Sequence, residues 1–264
     1  MAKVTANFLN SDTLRSRRGR IGNYLEEFLE VGIGSLDVTR HFDDFLGDEI
    51  SGSGGTPGMY QIATGSDGAL TIEDATVTNG EAILRASNGN GSDNEYGGLA
   101  MGLNWRGEQN AVFVARLKID ALATVKVEVG FTDAVDDAGA VNVLATPNYT
   151  ATDATGWVLD TDDNANWQFF GVDSGSGITK VENGNAPTAA TYETFVVALR
   201  DTYSRGLRLD ANGHLAEDTG WNAAAVTKDV DLTPWIFVQL RTGTLDRNVS
   251  IDYWGAWQRR SASN

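Results

Sequence analysis

From His41 onward the chain runs in short apolar stretches broken by Gly, Asn and Asp. The clearest alternation is at 124–131, where Val125, Val127, Val129 and Phe131 fall on one side of an extended chain and Lys126 and Glu128 on the other, since successive strand side chains point to opposite faces. Val249, Ile251 and Tyr253 alternate likewise with Ser250 and Asp252, which puts Trp254 opposite Tyr253 and returns Trp257 to the Tyr253 side of a regular strand. The pattern predicts strands over 41–46, 69–73, 81–86, 97–103, 111–119 and 124–131. Six more are expected over 156–160, 167–173, 192–200, 205–210, 235–242 and 248–257. Twelve short strands with turn residues between them and almost no helix read as two antiparallel sheets packed face to face. The Gly/Ser stretches 52–55 and 174–177 are loops, because strand patterns resume on both sides, and no internal repeat is visible.

The first forty residues follow a different pattern. Residues 1–20 hold Lys3, Arg15, Arg17, Arg18 and Arg20 against Asp12, in a chain whose net charge is −16. Such asymmetry marks an arm with a binding task of its own. Asn23 with Glu26 three residues on is close to a capping box, and Tyr24, Leu25, Phe28 and Leu29 recur at helical spacing before Gly32. Residues 23–31 are therefore expected to form a short amphipathic helix that packs either on its own sandwich or on a neighbour. The expected division is a basic arm with a helix over 1–40 and a β-sandwich over 41–264.

Composition sharpens this picture mainly by exclusion. The absence of cysteine removes disulfides, thiolate zinc sites and cysteine nucleophiles, and two histidines, His41 and His214, rule out a multi-histidine metal centre. An acidic surface repels phosphate, so no specific nucleic-acid binding is expected. No apolar region follows Arg17-Arg18 and the longest apolar runs, such as 111–115, are far shorter than a bilayer crossing needs, so neither a leader nor a membrane partner is expected.

Several segments carry a resemblance. Phe42-Asp43-Asp44-Phe45-Leu46-Gly47 looks like the opening strand of concanavalin-A-like (laminarinase-like) jelly rolls, and 250–258 resembles their closing strand. Between them 130–134, 156–162, 192–195 and 232–238 follow in an order similar to that of a family of tailed-phage virion proteins bearing this jelly roll. The resemblance spans about residues 40–260 and implies an all-β, two-sheet jelly-roll sandwich located in a virion.

That fold also hosts glycosidases, and a retaining one needs two carboxyl groups about 5 Å apart, one as nucleophile and one as acid/base. A strand-borne Glu-x-Asp-x-x-Glu is missing, and in the nearest run Glu128 and Asp133 fall on opposite faces of an unbroken strand, so no catalytic residues and no enzymatic activity are expected. Nor is there a Gly-x-Ser-x-Gly elbow, a phosphate-binding loop or a His-Glu-x-x-His motif. His214 sits in an Asp-Ala-Asn-Gly-His hairpin turn, and His41 borders the first strand. Asp160, Asp162 and Asn164 imitate the start of an EF-hand loop, but Ala165 replaces its Gly and Gly171 its closing Glu. Calcium held by that loop or by Asp133, Asp136 and Asp137 is the one cofactor left open. Of the tryptophans, Trp157, Trp167 and Trp235 read as core or strand-end packing, and Trp105 and Trp254 as contacts for a sugar or another subunit.

The expectation is thus a non-enzymatic virion protein that decorates or cements a capsid, bound to the major capsid protein or other virion proteins in many copies or as a homo-oligomer. Arg15, Arg17, Arg18 and Arg20 would pair with acidic groups while Phe8, Leu9, Leu14 and Ile21 fill apolar grooves. A helix of about nine residues is too short to persist alone in water, so the arm is expected to order only when docked on another chain. The alternative is a carbohydrate-binding tail or fibre module for host adsorption.

Overall fold

The computed structural model describes residues 38–46, 60–72, 80–90, 92–102, 104–143, 148–177, 181–182 and 186–260. The sequence-expected arm residues Phe8, Leu9, Leu14, Arg15, Arg17, Arg18, Arg20 and Ile21, and the helix over 23–31, lie outside the described residues.

The strands, in chain order, begin with β1 (Val38–Asp43), β2 (Gln61–Thr64), β3 (Ala69–Ile72), β4 (Ala82–Asn88), β5 (Tyr96–Ala100) and β6 (Val112–Ile119). They continue with β7 (Val125–Thr132), β8 (Val141–Val143), β9 (Asn148–Tyr149), β10 (Ala154–Asp160), β11 (Gln168–Asp173) and β12 (Ser176–Gly177). The last are β13 (Val181–Glu182), β14 (Glu193–Arg200), β15 (Tyr203–Leu209), β16 (Leu215–Asp218), β17 (Thr233–Leu240) and β18 (Asp246–Arg259). Each of the twelve expected strands is present. The six that alternation did not reveal, β2, β8, β9, β12, β13 and β16, are two to four residues long.

These strands build an all-β sandwich of two antiparallel sheets. The first runs β16-β15-β14-β6-β18-β4-β3, with β1 also beside β18; the second runs β12-β11-β10-β7-β17-β5-β2, with β13 beside β11. A small β8-β9 hairpin stands apart from both. Between the sheets, Phe113, Ala115, Leu117 and Ile119 of β6 and Phe195, Val197 and Leu199 of β14 meet Val125, Val127, Val129 and Phe131 of β7 and Ile236 and Val238 of β17 in one buried core. Trp157 and Trp167 close one part of it around Phe195, at ring distances of 6.4 and 4.6 Å.

Two departures from simple alternation shape this core. Strand β1 starts at Val38 and stops at Asp43, because the next turn needs Phe45 at φ 55°, with the Phe45 N–H donating to Asp43 Oδ1 at 2.8 Å. In β18 the register against β6 slips between Ile251 and Tyr253. That bulge adds one residue and exchanges the faces beyond it. Trp254 therefore joins Val249 and Ile251 in the core, packed against Phe45, Tyr60 and Phe113 at ring distances of 6.4, 5.4 and 5.9 Å. Tyr253 and Trp257 turn to the outside of the first sheet.

Candidate functional site

The positions with the most chemistry lie on the outer face of the second sheet. Alternation in β7 sends its aliphatic residues inward and leaves Lys126 and Glu128 outside, as the sequence pattern requires. Antiparallel pairing sets Phe237 and Val158 on either side of Glu128, and Gln239 and Asp160 on either side of Lys126. On an open sheet this row would be solvated. Instead, Lys126 and Glu128 are only 0% and 1% exposed, because residues 133–143, including β8, fold back over them.

Every polar atom of this pair is engaged. Lys126 Nζ stands 3.1 Å from Glu128 Oε1 and donates to the backbone carbonyls of Ala138 and Val141, which uses its three protons. Glu128 accepts the N–H of Ala140 at 2.8 Å, that of Val141 at 3.0 Å and the Trp235 indole N–H at 3.2 Å. Burial pushes the Lys126 amine below its ordinary value, against the opposing pull of Glu128. Alongside, Arg241 Nε donates to Asp160 Oδ1 at 2.9 Å and its other nitrogens reach the Asn142 carbonyl and Gln239 Oε1. Gln239 Nε2 in turn donates to the Asp137 carbonyl at 3.3 Å.

Apolar contacts complete the closure. Ala140 and Val141 of the covering segment pack with Ala151 on Ala154, Val158, Phe170 and Val172. Val135 packs against Ala100, Trp235 and Phe237, where the Tyr96, Phe237 and Trp235 rings stack in series at 5.9 and 5.4 Å. Gly139 lets the segment turn: its φ is +72°, and a Cβ there would sit 2.5 Å from Glu128 Oε1.

A second pair of carboxylates, which the sequence reading did not single out, lies at the rim of the core. Arg208 joins Glu193 and Glu217, accepted by the latter at 2.9 and 3.2 Å, and the Trp167 N–H donates to Glu193 at 3.3 Å. Burial pushes the Glu193 carboxyl up, opposed by Arg208. The guanidinium binds both acids, so the triad ties β15 to its neighbours β14 and β16. Its members are 15 and 24 residues apart in sequence from Glu193 to Arg208 and Glu217, a spacing that only the sheet pairing brings together.

The remaining sequence candidates divide clearly. Trp254 is 0% exposed and Trp105 5% exposed, its backbone bridged to Leu232. Neither ring is available to a sugar or a subunit, the first because of the bulge and the second because that bridge seats it in the core. Trp157 and Trp167 are core, whereas Trp235 lies beneath the covering segment. His214 occupies the expected turn, where Asp210 Oδ1 accepts the N–H groups of Asn212 and His214 at 2.9 and 2.8 Å. His41 forms a chain with Tyr60 and Asp43, its Nε2 2.6 Å from the Tyr60 hydroxyl, which donates to Asp43 Oδ2 at 2.5 Å. Strand β7 ends at Thr132, so Asp133 lies beyond it on the covering segment rather than on an unbroken strand.

Three of the calcium candidates accept hydrogen bonds from the protein itself. Asp133 Oδ1 takes the Thr152 N–H and Asp136 Oδ1 the Ala138 N–H, both at 3.1 Å, while Asp160 is committed to Arg241. Among the described residues no three His, Asp or Glu side chains converge as a metal-ligand set.

No family model matches the chain, and no curated protein matches it. Solved structures do. A protein of unknown function from Shewanella oneidensis MR-1 superposes with a TM-score of 0.64 at 14% identity, covering 92% of this chain and 96% of that one. A β-glucanase of Bacillus licheniformis gives 0.53 at 13% identity over 84% of this chain and 98% of its own, and peanut lectin 0.51 at 13% over 83% and 97%. The chain has the concanavalin-A-like jelly-roll fold. At these identities the likeness concerns the fold alone, which both lectins and glucanases use.

Proposed function

We propose that this chain is a non-enzymatic structural protein of a tailed-phage particle, a capsid decoration or cement protein held to its neighbours by the basic segment 1–20. The observation that carries the non-enzymatic part is the closed outer face of the second sheet. Glu128, the carboxylate nearest the middle of β7, is bound by Lys126, two backbone N–H groups and Trp235, and has no capacity left for a substrate. The acids of the second pair are both held by Arg208. The virion part is supported by the order of motifs along about residues 40–260 and by a cationic segment attached to an acidic body. Ordering such an arm costs about 1–2 kcal/mol per residue, which repeated contacts in a symmetric particle can offset through avidity.

Two measurements test this. Purified particles should contain the protein in many copies, and exchange of Arg15, Arg17, Arg18 and Arg20 for Ser should weaken attachment without changing the melting temperature. Normal occupancy by that variant would overturn the anchoring role. Hydrolysis of β-1,3- and β-1,4-glucans should be undetectable. Glycan adsorption is the competing reading, favoured by the row Phe42, Tyr253, Trp257 and Trp221 on the outer side of the first sheet. Specific binding on a glycan array, with or without calcium, would replace the structural role with that one.

A further inference from the structure

Among the described strands of six or more residues, β1 is the one without a buried residue. It pairs with β18 from Val38–Arg259 to Asp43–Trp254, and no second described strand flanks it. What seats it besides that ladder is a polar chain to the second sheet. His41 and Asp43 lie on one face of β1, and Tyr60 stands one residue before β2. The Tyr60 hydroxyl is 2.6 Å from His41 Nε2 and 2.5 Å from Asp43 Oδ2, and the His41 and Tyr60 rings meet edge to face at 5.5 Å. Tyr60 is itself buried and packs on Trp254.

We propose that His41, Tyr60 and Asp43 form a proton-operated latch, which holds β1 against the sandwich at neutral pH and loosens it in mild acid. Counting hydrogens fixes how the latch is wired. Tyr60 has one hydroxyl proton and gives it to Asp43, so its oxygen can only accept from His41, and Nε2 carries the hydrogen of the neutral ring. A further proton must enter at Nδ1, which places a full charge on a half-buried ring. Burial opposes that charge and outweighs the pull of Asp43, so the imidazole sits below its ordinary 6.5.

Among the described residues, Asp43 is the charge that faces His41, from the same strand. Ala256, opposite it on β18, and Trp254, two residues earlier, bring none. Tyr60 keeps its proton, since burial and Asp43 push the hydroxyl above its ordinary 10.0. A base that is harder to protonate folded than unfolded contributes stability above pH 6.5 and loses it as pH falls from there through the folded value. The loss falls on β1, because opening that strand rehydrates His41 while the core between β6 and β7 stays closed. Strand β1 also joins residues 1–37 to the sandwich, so the proton acts where the basic segment is tethered. The inference rests on β1 alone, whatever that segment binds.

Hydrogen exchange on the full-length protein reads the latch strand by strand. Between about pH 7.5 and about pH 5, after correction for intrinsic exchange, the β1 amides bonded to β18 should lose protection severalfold while those of β6 and β7 keep theirs. His41→Gln retains a side-chain N–H for Tyr60 but has no proton to gain, so it should abolish that loss. His214→Gln, at the one other histidine, should leave it unchanged. An NMR titration of the wild-type imidazoles, which needs no variant to fold, should find His41 titrating below 6.5. Equal β1 protection at both pH values, an undiminished loss in His41→Gln, a parallel loss in β6 and β7, or a His41 titration at or above 6.5 each overturns the latch. Because no particle is involved, each of these failures is separate from failure of the anchoring role.

Discussion

The outer faces of the two sheets solve the same problem in opposite ways. On the second sheet the central residues are charged or aromatic, and the stretch that directly follows β7, residues 133–143, closes over them with hydrogen bonds to Lys126 and Glu128. On the first sheet the central residues are Val, Ala and Leu, and the polar groups gather to one side around Arg116, Lys118, Glu81, Tyr192 and Asp252. A cover over ions must supply donors and acceptors atom for atom, since unpaired buried charge is far more costly than an imperfect apolar contact. An aliphatic face accepts any apolar segment of about the right width. The cover over the second sheet is therefore atom-specific, whereas the aliphatic face of the first sheet makes no such demand.

The largest effect should come from breaking the ionic cover. Glu128→Ala leaves Lys126 charged and buried with no counter-charge and strips the partners from two backbone N–H groups and the Trp235 indole. The expected loss is about 3–5 kcal/mol, a fall in melting temperature on the order of 10 °C, read by thermal and urea unfolding. A cost below about 1 kcal/mol would mean that the segment is held by its apolar contacts instead. Gly139→Ala should cost less, roughly 1–3 kcal/mol, because a positive φ and the approach to Glu128 both resist a side chain. Its unfolding curve should retain the wild-type slope, since only the folded state is strained.

How far the sequence foretold these faces depends on the range of the interaction. Period two placed Lys126 and Glu128 outside and their neighbours inside, because that alternation is a local property of β7. It could not show that residues 133–143 would bury them, for that is a contact between turn-like residues and a sheet with no periodic trace. The strands missed are all two to four residues long, over which alternation is weak. The error at Trp254 has a narrower cause. One extra residue near Asp252 exchanged inside for outside, and a run of apolar and polar letters looks the same with or without that bulge. The Glu193–Arg208–Glu217 triad was invisible because pairing across three strands, rather than spacing, assembles it.

The contrast between the faces sharpens when their ion pairs are compared. Arg116 and Asp252 on the first sheet are 32% and 20% exposed, so Arg116→Ala should cost only about 0.2–1 kcal/mol. That cost should shrink as salt is raised, whereas the Glu128→Ala cost should not, because buried pairs are poorly screened. Equal salt sensitivity of the two variants would show that the cover formed by residues 133–143 admits solvent.

The smallest effect concerns pH and belongs to the first sheet. Burial alone would raise the Glu81 carboxyl, but hydrogen bonds from Ser250, the Tyr192 hydroxyl and Lys118 outweigh it and hold Glu81 below its ordinary value of 4.5. A carboxylate that is more acidic folded than unfolded contributes stability above its unfolded value and loses it as pH falls through the folded one. Glu81→Gln should thus be less stable than wild type at pH 7 by no more than about 1 kcal/mol, and the two stability curves should converge below pH 4.5. A gap that stays constant on acidification would assign the difference to packing around Tyr192 and not to charge. The polar side of the first sheet would then be held by shape, as its apolar side is, and ionic closure would be confined to the second sheet.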